Sequence, residues 1–166
     1  MPVSLVPRPL RFGLSERILA DGSVLTAPDD AEIDALAAQL TALEVEAVAI
    51  GFLHSYSNPA REQYVAQRLS AGLGPDITIC QSAEVAGEIR EYERFSTVCA
   101  NAYVRPVMSR YLEALNTELT ALGFQGSLLM MLSGGGLTTL GQAVSFPVRL
   151  VESGPAGGVA LATHGG

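Results

Sequence analysis

Lysine is missing from this chain: all ten of its cationic residues are arginines. Without an ε-amino group there is no P-loop lysine for a phosphate and no Schiff-base lysine for a carbonyl. Cysteine is scarce. Cys80 and Cys99 sit in or near apolar segments without metal-ligand spacing, which predicts buried free thiols rather than a disulfide or a metal pair. No apolar run approaches the roughly 18 residues of a membrane span, and no charged segment followed by an apolar one opens the chain. The expected location is cytoplasmic, with no membrane partner. Basic runs are absent and the net charge is −7, which excludes nucleic acid as a natural ligand. Charge of either sign is sparse, at 16% of 166 residues against 48% hydrophobic. Such a chain can build a core, and it also has apolar surface for a partner or for more of the same polypeptide.

The apolar pattern predicts α/β architecture. Residues 1–10, with Pro2, Pro7 and Pro9, form an extended lead-in. Arg11 to Pro28 is a β-hairpin turning at Asp21-Gly22. Asp29 or Asp30 caps a helix carrying Ile33, Leu36, Ala37, Leu40 and Leu43 at helical spacing. Val45 to Leu53 is a buried strand and His54 to Pro59 a loop. A helix capped by Asn58 runs to about Leu73, and Ile77 to Cys80 is the next strand. This order gives a layered, mixed or parallel sheet with right-handed crossovers. Glu84 to Phe95 is a polar connector. Ser96 to Leu122 is a helix kinked at Pro106, with Tyr103, Val107, Tyr111, Leu115 and Leu119 on one apolar stripe flanked by Met108, Leu112 and Leu122. Two domains are expected, 1–88 and 89–166.

The last third, Ser127 to Gly166, organises the rest. It predicts strand, Gly-rich turn, helix, twice over, with strands Ser127–Leu132 and Pro147–Glu152. The turns are Ser133-Gly134-Gly135-Gly136 and Ser153-Gly154-Pro155-Ala156-Gly157-Gly158. A helix opening after such a turn aims free N–H groups at an anion, so Gly134, Gly135, Ser153, Gly154, Gly157 and Gly158 are candidate nucleotide contacts. The alternative is turns that only pack tightly, since neither has P-loop or dinucleotide spacing. His54 lies where loops at strand ends hold ligands in open α/β sheets, or simply caps its strand. Glu93 and Arg94 belong to a run of alternating charge that faces either solvent or a substrate cleft. Asn101 to Pro106 mixes polar and apolar residues on a helix.

Together these stretches resemble the hydantoinase/oxoprolinase family in its A-type subunit. The matching residues are Pro7 to Phe12, Ser15-Glu16-Arg17 with Asp21-Gly22, Leu53 to Tyr56 with Asn58-Pro59 and Glu62, Glu91 to Arg94 with Ser96-Thr97, Asn101 to Pro106, and Ser153 to Gly157. The resemblance implies an internal piece of a longer protein of the actin/sugar-kinase/chaperone type, cut between two phosphate loops that lie outside it. It implies ATP and magnesium for the complete protein and none for this piece alone. The implied activity is ATP-dependent opening of a small cyclic amide, a hydantoin or 5-oxoproline, through phosphorylation of the carbonyl. Arg94, His54 and Glu93 become the catalytic candidates, with no metal ligands. The implied partners are the rest of the A-type chain and a B-type subunit, with self-association through exposed sheet edges. The other readings are a non-catalytic assembly module of a carboxylase-like complex and an unrelated Gly-loop nucleotide binder. The chain departs from many relatives at Arg61, where they have histidine, and at Gly134, where they have asparagine.

Overall fold

The computed structural model describes residues 4–164, so Met1–Val3 of the lead-in and Gly165–Gly166 of the last third lie outside the described residues. The described residues form two compact units that part between Tyr103 and Val104. The sequence boundary at 88/89 falls earlier, because the first turns of the long helix contribute buried side chains to the first unit.

In the first unit the lead-in is not wholly extended: Arg8–Leu10 makes a 3-10 turn. Strands β1 (Arg17–Ile18) and β2 (Val24–Thr26) pair antiparallel about Asp21-Gly22. Gly22 takes φ +84°, and Asp21 accepts from both the Ser23 N–H and its hydroxyl, which closes the turn. Helix α1 (Asp30–Ala42) starts where predicted, with the Asp29 side chain accepting from the Glu32 N–H at 2.8 Å. Strand β3 (Ala47–Ile50), helix α2 (Ala60–Leu73) and strand β4 (Thr78–Gln81) follow in order. The two strands pair in parallel from Ala47↔Thr78 to Ile50↔Gln81. Ile33, Ala37 and Leu40 of α1 meet Val65, Ala66 and Leu69 of α2 and Ile50 of β3 in the core. The predicted parallel α/β layer is therefore present. On its outer face Arg68 forks onto Asp34 at 2.6 and 2.8 Å, and the Tyr64 hydroxyl donates to Asp30, tying α2 to α1.

The polar connector is largely helical. A short helix α3 (Ser82–Val85) follows β4 directly, and helix α4 (Glu91–Ala121) begins five residues before the expected start. It continues through Pro106 as one helix. The stripe expected to pack is offset. Tyr103, Val107, Tyr111 and Leu122 are exposed, while Arg94, Val98, Asn101, Ala102 and Leu112 are buried. A window opening at Ser96 omits Arg94, so the apolar steps of four mark the wrong face.

The second unit corrects the expected repeat. Strand β5 (Leu129–Met131) pairs antiparallel with strand β6 (Leu137–Thr139), so Ser133–Gly136 is a hairpin turn and no helix opens there. Gly135 has φ +85°, the left-handed conformation such a turn needs. Helix α5 (Leu140–Ser145) starts later, capped by Thr139. Pro147–Glu152 is not a strand. Pro147–Leu150 forms a 3-10 turn instead, whose first residue lacks an N–H for a ladder. The Ser133 N–H donates to Arg149 O at 2.9 Å, linking the hairpin turn to this segment. Helix α6 (Ser153–His164) takes in the whole of the expected second turn, so it opens at Ser153 and not after Gly158.

Candidate functional site

Among the described residues, four buried polar side chains of the first unit, Ser55, Glu62, Ser82 and Arg94, are joined by hydrogen bonds, and a fifth, Asn101, is buried against Cys80. Glu62, on the first turn of α2, is completely buried. Its Oε1 accepts from the Phe52 N–H at 2.9 Å and the Ser82 hydroxyl at 2.6 Å; its Oε2 accepts from the Ala83 N–H at 2.9 Å. Arg94, on the first turn of α4, is equally buried. Its Nε donates to Ser82 Oγ at 3.0 Å, Nη1 to Glu88 O at 2.8 Å and Nη2 to Phe52 O at 2.7 Å. Its guanidinium carbon also lies 5.6 and 5.2 Å from the ring centres of Tyr56 and Phe95. Two charges out of water cost several kcal/mol each unless they are well bonded, and here the carboxylate takes three protein donors and the guanidinium gives a proton from each of its three nitrogens to a protein acceptor.

The sequence leaves Arg94 facing either solvent or a substrate cleft. The structure corrects this: with three nitrogens spent on protein acceptors and no exposed surface, it braces the loop after β3. Glu93 points the other way, exposed and 3.3 Å from Arg90. The carboxylate beside the candidate imidazole is instead Glu91, whose Oε1 lies 4.0 Å from His54 Nδ1. On a helix, residues 91 and 94 share a face and 93 does not, a signal hidden by treating this stretch as a connector. The Tyr56 hydroxyl lies 3.5 Å from His54 Nδ1, and the two rings meet edge to face. His54 is partly exposed and has φ +56°, a left-handed backbone that costs a non-glycine residue about 1–2 kcal/mol. His54, Tyr56 and Glu91 thus form a solvent-reachable set able to hold a water or pass a proton.

The hairpin of the first unit backs this loop. Asn58 Nδ2 donates to Gly22 O at 2.8 Å and its Oδ1 accepts from the Ala60 N–H at 3.2 Å, while Pro59, expected as the first helical residue, stands at the N-cap position. Glu16 has a carboxylate oxygen without a hydrogen-bond partner among the described residues. Burial, then the nearby Glu62 carboxylate, push its pKa up, against Arg17 and Arg61. Arg61, the departure from the family pattern, thus supplies positive charge near Glu16. Asn101 Nδ2 donates to Cys80 Sγ at 3.4 Å, and burial raises the Cys99 thiol; neither sulfur is in a disulfide.

The Gly-rich candidates lie in the second unit. A Cβ added at Gly134, Gly135, Gly154, Gly157 or Gly158 would meet no atom within 4 Å, so these turns are not glycine for internal packing. Ser153 and Gly154 open α6 after Glu152 at φ +62°, while Gly157 and Gly158 lie inside the helix. Open backbone beside a helix start suits an anionic group. Among the described residues no cluster of His, Cys, Asp and Glu could hold a metal, and no helix is long and apolar enough to cross a membrane.

Two family models match: the hydantoinase/oxoprolinase N-terminal region over residues 2–72 and the hydantoinase/oxoprolinase domain over residues 94–166. The chain is 40% identical to the caprolactamase subunit alpha of Pseudomonas jessenii over 152 residues, 92% of this chain and 22% of that subunit. The solved ATP-dependent caprolactamase from the same organism superposes with a TM-score of 0.82 at 36% identity, over 98% of this chain and 24% of that one. Nucleotide-free acetone carboxylase superposes with a TM-score of 0.86 at 26% identity, over 98% of this chain and 23% of that one. The chain therefore spans about a quarter of the length of these relatives. Both of its halves match the same family, in the order in which its motifs run, and the chain belongs to the hydantoinase/oxoprolinase family.

Proposed function

We propose that this chain is a substrate-side portion of an ATP-dependent enzyme that opens a small cyclic amide such as a lactam, a hydantoin or 5-oxoproline. One observation carries the reading: the 36% identity to an ATP-dependent caprolactamase holds over 98% of the chain. An amide carbonyl is a poor electrophile, and phosphorylating its oxygen, the chemistry ATP supplies with magnesium, makes the ring open to water. In this chain His54, flanked by Tyr56 and Glu91, orients that water and takes its proton. The open backbone at Gly134-Gly135 and the first amides of α6 at Ser153 and Gly154 receive an anionic group. Arg94 keeps the His54 loop in place. The complete protein takes the two-lobed actin/sugar-kinase/chaperone form and works with a B-type subunit.

The match to acetone carboxylase favours a second reading, a carboxylase subunit. A segment exchange separates the two. The chain replaces the corresponding quarter of the caprolactamase alpha subunit and, separately, of the acetone carboxylase chain. Retained ATP-dependent lactam opening only in the first chimera supports the amide reading. Retained activity only in the second moves the assignment to the carboxylases. A folded first chimera that hydrolyses ATP without opening lactam overturns the amide reading.

A further inference from the structure

We propose that Glu62 and Ser82 are positioning residues for His54, fixing the backbone on both sides of the imidazole. This inference rests on the proposed role of His54 at the substrate. The direction of every hydrogen bond in the network is set by proton counting. Ser82 has one hydroxyl proton and gives it to Glu62 Oε1 at 2.6 Å. Its lone pairs then take Arg94 Nε–H at 3.0 Å and, at 3.3 Å, the Ser55 hydroxyl, which must be the donor. The proton chain runs Ser55 to Ser82 to Glu62, with both hydroxyl protons placed and both Glu62 oxygens engaged. Its ends are the residues around His54. Phe52, two positions before, has its N–H held by Glu62 and its C=O held by Arg94. Ser55, one position after, is held through its side chain, and its N–H reaches Phe52 O at 3.4 Å. His54 sits between these clamps at φ +56°. Such a conformation persists only where its surroundings over-determine it. Ala83 N–H on Glu62 Oε2 fixes α3 to the same carboxylate, and Arg94 fixes the start of α4, the helix that presents Glu91. One buried carboxylate and one hydroxyl thereby link His54 to Glu91.

Glu62→Gln puts an amide where two N–H or O–H groups on one oxygen and one on the other need acceptors; Ser82→Ala removes the central hydroxyl with almost no change in volume. In the 166-residue chain, the His54 imidazole signals, assigned with H54A, are followed by NMR. Circular dichroism monitors folding. Both variants are expected to shift or broaden the His54 signals in a folded chain, while E118Q at an exposed position of α4 leaves them in place. In the caprolactamase chimera, E62Q and S82A are expected to lower kcat by roughly 10- to 100-fold with little change in KM. Unmoved imidazole signals in folded S82A overturn the proposal, even if E62Q fails to fold. If S82A moves the signals and lowers kcat but H54A leaves the rate intact, the network positions something else and the role of His54 fails instead.

Discussion

Gly51 stands between strand β3 and the candidate loop, and its missing side chain leaves room for the ring of Phe95. A Cβ built at Gly51 would lie 2.6 Å from Phe95 Cδ1, 2.7 Å from Cε1 and 3.3 Å from Cγ. Carbon contacts settle at about 3.5–4.0 Å, so Gly51→Ala creates an overlap of about 1 Å with a flat, stiff side chain. Moving the ring outward disturbs its contact with the Arg94 guanidinium and the helix turn that carries both residues. Overpacking of this kind costs about 1–3 kcal/mol. Gly51 does not have a positive φ, so alanine carries no backbone penalty there and, with the ring gone, should be neutral or stabilise by about 0.4–1 kcal/mol through the unfolded state. The assay is a double-mutant cycle with F95A in urea, followed by circular dichroism and by hydrogen exchange at the Phe52 amide. G51A should lower the midpoint in the parent background and not in F95A, a coupling of at least about 1 kcal/mol. Equal costs in both backgrounds, or a G51A cost below about 0.5 kcal/mol in the parent, would refute the steric reasoning.

Backbone conformation and charge give two more expected outcomes. Glu44 terminates α1 at φ +50° with its N–H on Thr41 O, so Glu44→Gly should stabilise by about 0.5–1 kcal/mol in thermal unfolding, and a loss of stability would show that its side chain matters more than its conformation. Glu16 has a raised folded pKa, so as pH climbs through the unfolded carboxylate value near 4 the unfolded chain gives up its proton first, and stability is lost as pH rises to the folded value. Glu16→Gln should therefore be more stable than the parent at pH 7, with the gap closing below about pH 4; a gap that is independent of pH would remove the burial argument.

The first unit was legible because its signals are local and agree with one another. The Asp29 cap, the Asp21-Gly22 turn, the stripe Ile33, Ala37, Leu40 and the apolar run of β3 each specify the element found. The second unit misled because a Gly-rich turn is compatible with either a strand or a helix on its far side. Ser133–Gly136 serves a hairpin as well as a strand-to-helix junction, and the choice lies with Leu137–Thr139, a run too short to announce a strand. In the candidate site, His54 could be located from its place after a strand. Glu91 could not, because its position depends on α4 starting early. That start coincides with a buried arginine, which a charge pattern read from sequence assigns to solvent. Partnership between Glu62 and Arg94 was equally hidden: 32 positions separate them along the chain, and they are joined not by a direct bond but through Ser82.

A chain with so few charges places two of them where water cannot reach. Stability alone does not explain this, since apolar side chains of similar size often serve as well as buried ion pairs. Here the replacement would fail for a different reason. Glu62 and Arg94 satisfy four main-chain groups: the N–H of Phe52, the C=O of Phe52, the N–H of Ala83 and the C=O of Glu88. None of these bonds belongs to a helix or sheet ladder, so a leucine or methionine would leave the N–H groups of Phe52 and Ala83 and the C=O of Glu88 looking for partners, at about 1–3 kcal/mol apiece where they stay buried, and the Phe52 C=O with only the long bond from the Ser55 N–H. The charges are therefore a substitute for secondary structure in a loop that must stay irregular. An irregular loop held this tightly is what a left-handed histidine at its tip requires, and that support is what the proposed role of His54 rests on.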